Sequence, residues 1–330
     1  MIYKCFYLLV FLSMACSVSK HKVMSKSVNG NEGVIAYDDT RPGHWPEPFR
    51  LVETISSLDG VVQKSWFYGA EGDELRPLLV SLHTWSGDFN QKDTLAKMAV
   101  DHNWNYIHPD FRGPNWSAEA CCSLLALEDI DEAIDFAISQ GNVDPARIFV
   151  NGVSGGGYAA LAVYMRSRHP IRKILAWVPI SDLTAWYEQS VVRGANYANH
   201  ILQCTNSGSD SLDVEEARRR SPLFWETPRR DTRLMIYAGV YDGIQGSVPI
   251  THTLNFYNKV ARDLGAFASS SLVSPEEKVW LLEHRKPIQP GLWVGDRGLC
   301  LRKKYKTIEM VIFEGNHEMI VEEAANNIFN

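Results

Sequence analysis

The chain has 330 residues, 45% of them hydrophobic and 22% charged, with a net charge of −6. That length and balance suit a sizeable core in one large domain or two small ones. No basic tract is present, which argues against nucleic acid as a partner, and six cysteines with no Cys-x-x-Cys pair argue against a zinc site.

Residues 1–16 read as an export leader. Lys4 supplies a short basic start, and the apolar stretch 6–15 is too short to span a bilayer. The run Ser13-Met14-Ala15-Cys16 fits two kinds of processing: ordinary cleavage, or lipid attachment at Cys16 after a lipobox-like stretch in which Leu12 stands one place too early. The lipid-anchored form is the favoured expectation. The protein is then periplasmic or on the cell surface, with Cys16 as its only link to the membrane. Residues 17–43 are polar and broken by Asn29-Gly30 and Gly33, as in a tether. Cys121, Cys122, Cys204 and Cys300 remain after the leader, and export permits a disulfide. Cys121 and Cys122 are neighbours, so at most one of them is expected to pair with Cys204 or Cys300.

From residue 44 onward the chain reads as one domain. Two strands, 49–58 and 61–68, flank the hairpin signal Asp59-Gly60. A buried strand at 78–82 runs into His83-Thr84-Trp85-Ser86-Gly87. A helix at 93–102 and a strand at 105–108 follow, then a loop through 109–116. The clearest helix, 127–139, puts Ile130, Ala133, Ile134, Ala137 and Ile138 on one face. Gly141 closes it, and Asp144-Pro145 turns the chain into a strand at 148–150. Further strands are expected at 174–178, 234–238 and 308–313, with helices at 250–264 and at the C-terminus. Residues 183–225 read as a helical insertion and 269–302 as one of mixed composition. Alternating strands and helices behind a leading hairpin predict an α/β fold. Its sheet is mostly parallel and twisted, with helices on both faces and an antiparallel N-terminal hairpin.

The chemistry is concentrated at three expected strand ends. After the strand at 148–150 comes Gly152-Val153-Ser154-Gly155-Gly156, a Gly-x-Ser-x-Gly turn that opens a helix. In this setting a strained turn exposes the serine hydroxyl. That hydroxyl needs a base to take its proton, and the base needs an acid to orient it. Asp242 follows the strand at 234–238 and His317 follows the strand at 308–313, giving the order serine, acid, histidine. Asp182 is the rival acid. His83, His108 and His252 also lie near element ends, but none follows the last strand. The oxyanion hole needs two backbone N–H groups. Gly155 offers one, and Trp85, preferred over Thr84, offers the other.

With these residues the chain resembles the α/β-hydrolase superfamily, in its prolyl-oligopeptidase-like and acyl-esterase branch, from about residue 49 to the end. The resemblance rests on the His83 loop, Pro109-Asp110-Phe111-Arg112-Gly113, Val143-Asp144-Pro145-Ala146-Arg147-Ile148, the Ser154 turn, Gly239-Val240-Tyr241-Asp242 and Gly315-Asn316-His317. It implies the α/β-hydrolase fold and a serine hydrolase using Ser154, Asp242 and His317, with no metal or organic cofactor. One departure is Thr84, which stands where many relatives have glycine.

Peptidases of the branch carry a propeller ahead of the hydrolase domain. Only the tether precedes residue 49 here, and no paired-glutamate site for a free amino terminus is evident. The expected substrate is therefore an ester, an acetyl or methyl group on a plant-type polysaccharide. Arg112, Trp116, Trp186 and Tyr241 are the candidate substrate contacts, joined by Trp85, Asn115, Tyr187, Arg193 and Trp293. The alternatives are a peptidase or amidase using the same triad, and a glycan-binding lipoprotein without turnover.

Overall fold

The computed structural model describes residues 40–208, 211–228 and 231–330. The expected leader, the Cys16 anchor and the tether as far as residue 39 lie outside the described residues.

A hairpin of β1 (Arg50–Ile55) and β2 (Val62–Tyr68) opens the sheet, turning through Asp59-Gly60. The strands β3 (Arg76–Leu82), β4 (Asn105–Pro109), β5 (Val143–Val153), β6 (Lys173–Trp177) and β7 (Arg233–Gly239) follow. The last three are β8 (Trp293–Val294), β9 (Arg297–Tyr305) and β10 (Ile308–Phe313). All ten form one sheet in the order β1-β2-β4-β3-β5-β6-β7-β10-β9-β8. The run from β4 to β10 is parallel, and both margins are antiparallel.

The central strands are buried nearly end to end, as expected of strands covered on both faces. Helix α1 (Thr94–Asp101) carries the crossover from β3 to β4, and α2 (Leu124–Gln140) the crossover from β4 to β5. These crossovers run in opposite directions along the sheet, so right-handed connections put α1 and α2 on opposite faces. Helix α3 (Gly155–Arg166) packs on β5 and β6 beside α2, and α9 (Val321–Phe329) packs beside α1. The remaining helices are α4 (Leu183–Val192), α5 (Tyr197–Cys204), α6 (Val214–Arg219), α7 (Thr251–Asp263) and α8 (Pro275–His284). Among the described residues no helix is long and apolar enough to cross a membrane.

Two expectations change. The segment 269–302 is not only an insertion, because it holds α8 and most of β9, an edge strand that pairs with β10. The fold also takes hold before residue 44: Pro42 bridges to Gln91, and Gly43 N–H donates to Asn90 O at 2.6 Å.

Two buried histidines are fixed as neutral rings. Ser181 N–H donates to His252 Nδ1 at 3.2 Å, so the His252 proton sits on Nε2 and is donated to Gln189 Oε1 at 3.0 Å. His108 donates Nδ1–H to Ser81 O at 2.7 Å. Burial lowers the pKa of His108 to about 4 and that of His252 to about 3, with the Arg193 charge adding to the latter. An unfolded histidine takes up its proton near pH 6.5, whereas these rings stay neutral well below that. Stability is therefore fully present above about pH 6.5 and is lost as the pH falls toward 4, by up to ~1.4 kcal/mol per pH unit for each ring. The urea midpoint is expected to be lower at pH 5 than at pH 7, and His252→Gln should flatten that fall. Equal midpoints at the two pH values in the parent would contradict this.

Candidate active site

Ser154 stands alone between the end of β5 at Val153 and the start of α3 at Gly155, so one residue takes the whole change of direction. It does so at φ 58° and ψ −116°. Such a conformation in a residue with a Cβ costs on the order of 1–3 kcal/mol and persists only where its surroundings impose it. Here Gly152 permits the tight return, since a Cβ on it would lie 2.1 Å from Gly156 O. Ser154 N–H donates to Trp177 O at 2.9 Å, which ties the turn to the end of β6.

Asp242 lies three residues past β7 and is buried. Its Oδ1 accepts from the N–H groups of Gly243 (2.8 Å) and Val248 (3.0 Å), and its Oδ2 lies 2.7 Å from His317 Nδ1. The carboxylate accepts, so Nδ1 carries the proton, which is the tautomer that places the basic lone pair on Nε2.

β10 is three places from β5 in the sheet, so the chain after His317 must run back across two strand ends to approach Ser154. It does. Asn151 on β5 donates to Met319 Sδ at 3.6 Å and accepts from Trp177 Nε1 at 3.1 Å. Two residues beyond His317, the chain thus touches the strand that carries Ser154.

Gly155 heads α3, where the first amides have no intrahelical partner. A Cβ on Gly155 would lie 2.3 Å from Trp85 N, so the two backbones are in close contact. The Thr84 N–H is taken by Gln91 Oε1 at 2.8 Å. The N–H groups of Trp85 and Gly155 meet no acceptor among the described residues, in contrast to that of Thr84. Trp85 is held on both sides. Asn115 N–H donates to Trp85 O at 2.8 Å, and the Trp85 indole donates to His200 Nδ1 on α5 at 3.2 Å.

Several expected contacts belong elsewhere. Arg112 does not face a substrate: it is buried against Asp129 and also binds Asp59 and Ser56. Trp186 is fully buried, packs edge-on against Trp85 with ring centroids 4.7 Å apart, and donates to Ser247 O at 2.9 Å. Asp182 caps α4 through the N–H groups of Thr184 and Ala185, which explains its position without a catalytic role. Tyr241 is half-buried, with its hydroxyl 3.4 Å from Glu314 Oε1. Trp116 is partly exposed and lies 4.9 Å from the His200 ring.

Arg193 spans the loop that follows Asp242, donating to Gly246 O (3.2 Å) and Ser247 O (2.7 Å). It ties the end of α4 to that loop, whose Val248 N–H is bonded to Asp242. Nothing in the spacing of the insertion announces that role or the role of His200. Arg193→Ala should lower kcat by roughly 10-fold through misplacement of Asp242, with KM nearly unchanged. A rise in KM alone would instead restore Arg193 as a substrate contact.

Residues 125–285 match the model of the Prolyl oligopeptidase family, a span that includes Ser154 and Asp242 and ends before His317. The matched segment is similar to that family over just under half of the chain. The fold is also similar to solved structures. An acylaminoacyl peptidase from Pyrococcus horikoshii is 19% identical with a TM-score of 0.54, the alignment covering 66% of this chain and 35% of that one. A puromycin-hydrolyzing peptidase from Mycobacterium tuberculosis is 18% identical with a TM-score of 0.52, covering 65% and 34%. Prolyl oligopeptidase B from Galerina marginata is 13% identical with a TM-score of 0.52, covering 65% and 31%. The aligned part is thus about a third of each of those proteins, and it establishes the α/β-hydrolase fold here. A search of curated proteins finds no match. The polysaccharide-ester expectation draws no support from these comparisons.

Proposed function

We propose that this protein is a serine hydrolase working through an acyl-enzyme, and that the bond it cuts is the amide of a short peptide or an acylated amine. The observation that carries the chemistry is the 2.7 Å contact between Asp242 and His317, on a chain that runs back to the Ser154 strand. Ser154 Oγ attacks the carbonyl carbon while His317 Nε2 takes its proton. The oxyanion rests on the N–H groups of Gly155 and Trp85. His317 then protonates the departing amine, and water repeats the sequence to free the acid. Asp242 keeps the imidazole in the required tautomer and stabilises its charged form.

The choice of an amide is supported by the similar structures, which are peptidases by their descriptions. An ester is the second reading, and one feature favours it. A cavity of about 420 Å³ is lined by Trp116, Asn196, Asn199, Gln203 and His200, the partner of the Trp85 indole, with no Asp, Glu, Lys or Arg side chain. Such a lining suits an uncharged sugar ring better than a free ammonium group. The test is one panel: N-acetylated and free aminoacyl 4-nitroanilides, a prolyl peptide, 4-nitrophenyl acetate and acetylated xylan. Turnover of acylated amides, absent in Ser154→Ala, is the expected result. Turnover confined to the acetylated glycan would replace the amide reading by the ester one, and no turnover of any substrate would count against hydrolysis itself.

A further inference from the structure

Two sulfurs meet where the loop before α2 touches α5. Cys121 Sγ and Cys204 Sγ lie 2.8 Å apart, in side chains that are fully buried and 83 positions distant in sequence. Cys121 and Cys122 both take φ of 51°, a left-handed conformation that is rare for residues with a Cβ. Cys300 is buried separately on β9.

The two elements joined at this point are the same two that hold Trp85. Cys121 N–H donates to Asn115 Oδ1 at 3.0 Å, and Asn115 N–H donates to Trp85 O. The Trp85 indole donates to His200, which lies one turn before Cys204 on α5. A closed circuit therefore runs from Cys121 through Asn115, Trp85 and His200 to Cys204, and only the sulfur–sulfur step lacks a strong bond.

We propose that Cys121 and Cys204 are the two halves of a reversible disulfide that clamps α5 to the Asn115 loop and so positions the Trp85 amide. The reaction balances with glutathione disulfide as oxidant. One cysteine thiolate attacks a glutathione sulfur and releases one glutathione as thiolate. The second cysteine thiolate then attacks the mixed disulfide and releases another. Two protein thiols lose two electrons and two protons, and one glutathione disulfide becomes two glutathione thiols. Burial pushes the Cys204 thiol well above its ordinary range, so exchange waits on α5 lifting away from the loop.

The test uses the full chain, equilibrated with oxidised or reduced glutathione, denatured, alkylated with iodoacetamide and digested without reductant. The oxidised pool should yield a cross-linked pair of peptides through Cys121 and Cys204, with Cys122 and Cys300 alkylated. The reduced pool should show Cys121, Cys122, Cys204 and Cys300 each alkylated. The thermal midpoint of the oxidised pool should be higher by roughly 5–10 °C. Alkylation of both Cys121 and Cys204 after oxidation, or a cross-link through Cys122, would overturn the pairing. The positioning role rests on the hydrolase reading above, whereas the peptide map does not. It predicts a kcat about 3- to 10-fold higher in the oxidised pool at unchanged KM, with Cys204→Ser matching the reduced pool and Cys300→Ser still responding to oxidation. Equal kcat in cross-linked and reduced protein would remove the positioning role.

Discussion

Replacing Ser154 by alanine is expected to lower kcat by about 10⁴-fold or more, with KM little changed and the thermal midpoint held. The variant loses only an oxygen, at a turn whose shape is imposed by Gly152, by the bond to Trp177 O and by the helix that follows. His317→Ala should fall as far, because a neutral hydroxyl with no base beside it attacks a carbonyl poorly at neutral pH. The two losses should not add. In the double variant the remaining rate belongs to the Gly155 and Trp85 amides and to substrate binding, so it should match either single variant within a few-fold. Asp242→Asn should come close to them, because an amide side chain can present its N–H to His317 Nδ1 and leave the ring protonated on the wrong nitrogen. Near-normal turnover by Ser154→Ala in a folded sample would show that another group carries the reaction.

The parts of this site that were legible in the sequence are those set by local chain geometry. Ser154, Asp242 and His317 each come within four residues of the end of an apolar run that reads as a buried strand. In a parallel sheet those runs all end at the same edge. Residue type and chain order then assign the roles. What was not legible depends on packing between distant segments. The indole of Trp186 and that of Trp116 look equivalent in sequence, yet one is sealed under Trp85 and the other lies at the rim. Arg193 and His200 act through an insertion whose helices meet the loops after β7 and β3 only in three dimensions. Helix α8 did carry a local signal, Ser274-Pro275-Glu276-Glu277, which forms a full capping box. The prolines and charges around it hid the signal. Strand β9 was hidden in a similar way: its buried stretch of Leu299, Cys300 and Leu301 runs into Arg302-Lys303-Lys304, and only the pairing with β10 makes that sequence a strand.

The second large effect concerns Arg112, and it separates two accounts of that residue. A side chain that met the substrate could be shortened with a rise in KM and little loss of stability. The structure leads to the opposite expectation. The guanidinium joins three segments: Asp129 on α2, Ser56 and Asp59 in the β1–β2 hairpin turn, and its own loop after β4. Asp129 has no solvent-exposed side-chain surface, and burial raises its pKa while the bond from Arg112 opposes the rise. Arg112→Met would leave that carboxylate buried without its cation, a loss of about 3–5 kcal/mol. The double variant Arg112→Met with Asp129→Leu removes both charges and should recover much of the loss, since an apolar pair of similar volume often matches a buried ion pair. The damage should also reach the active site. Phe111, beside Arg112, stacks on His83 at 3.8 Å between ring centroids, and His83 Nε2 lies 2.6 Å from Asp110 O. His83 in turn sits two residues before the Trp85 amide. The single variant is therefore expected to lose several degrees in its thermal midpoint and to lose kcat rather than gain KM. A variant with parental stability and a KM raised tenfold would return Arg112 to the substrate and remove the structural account.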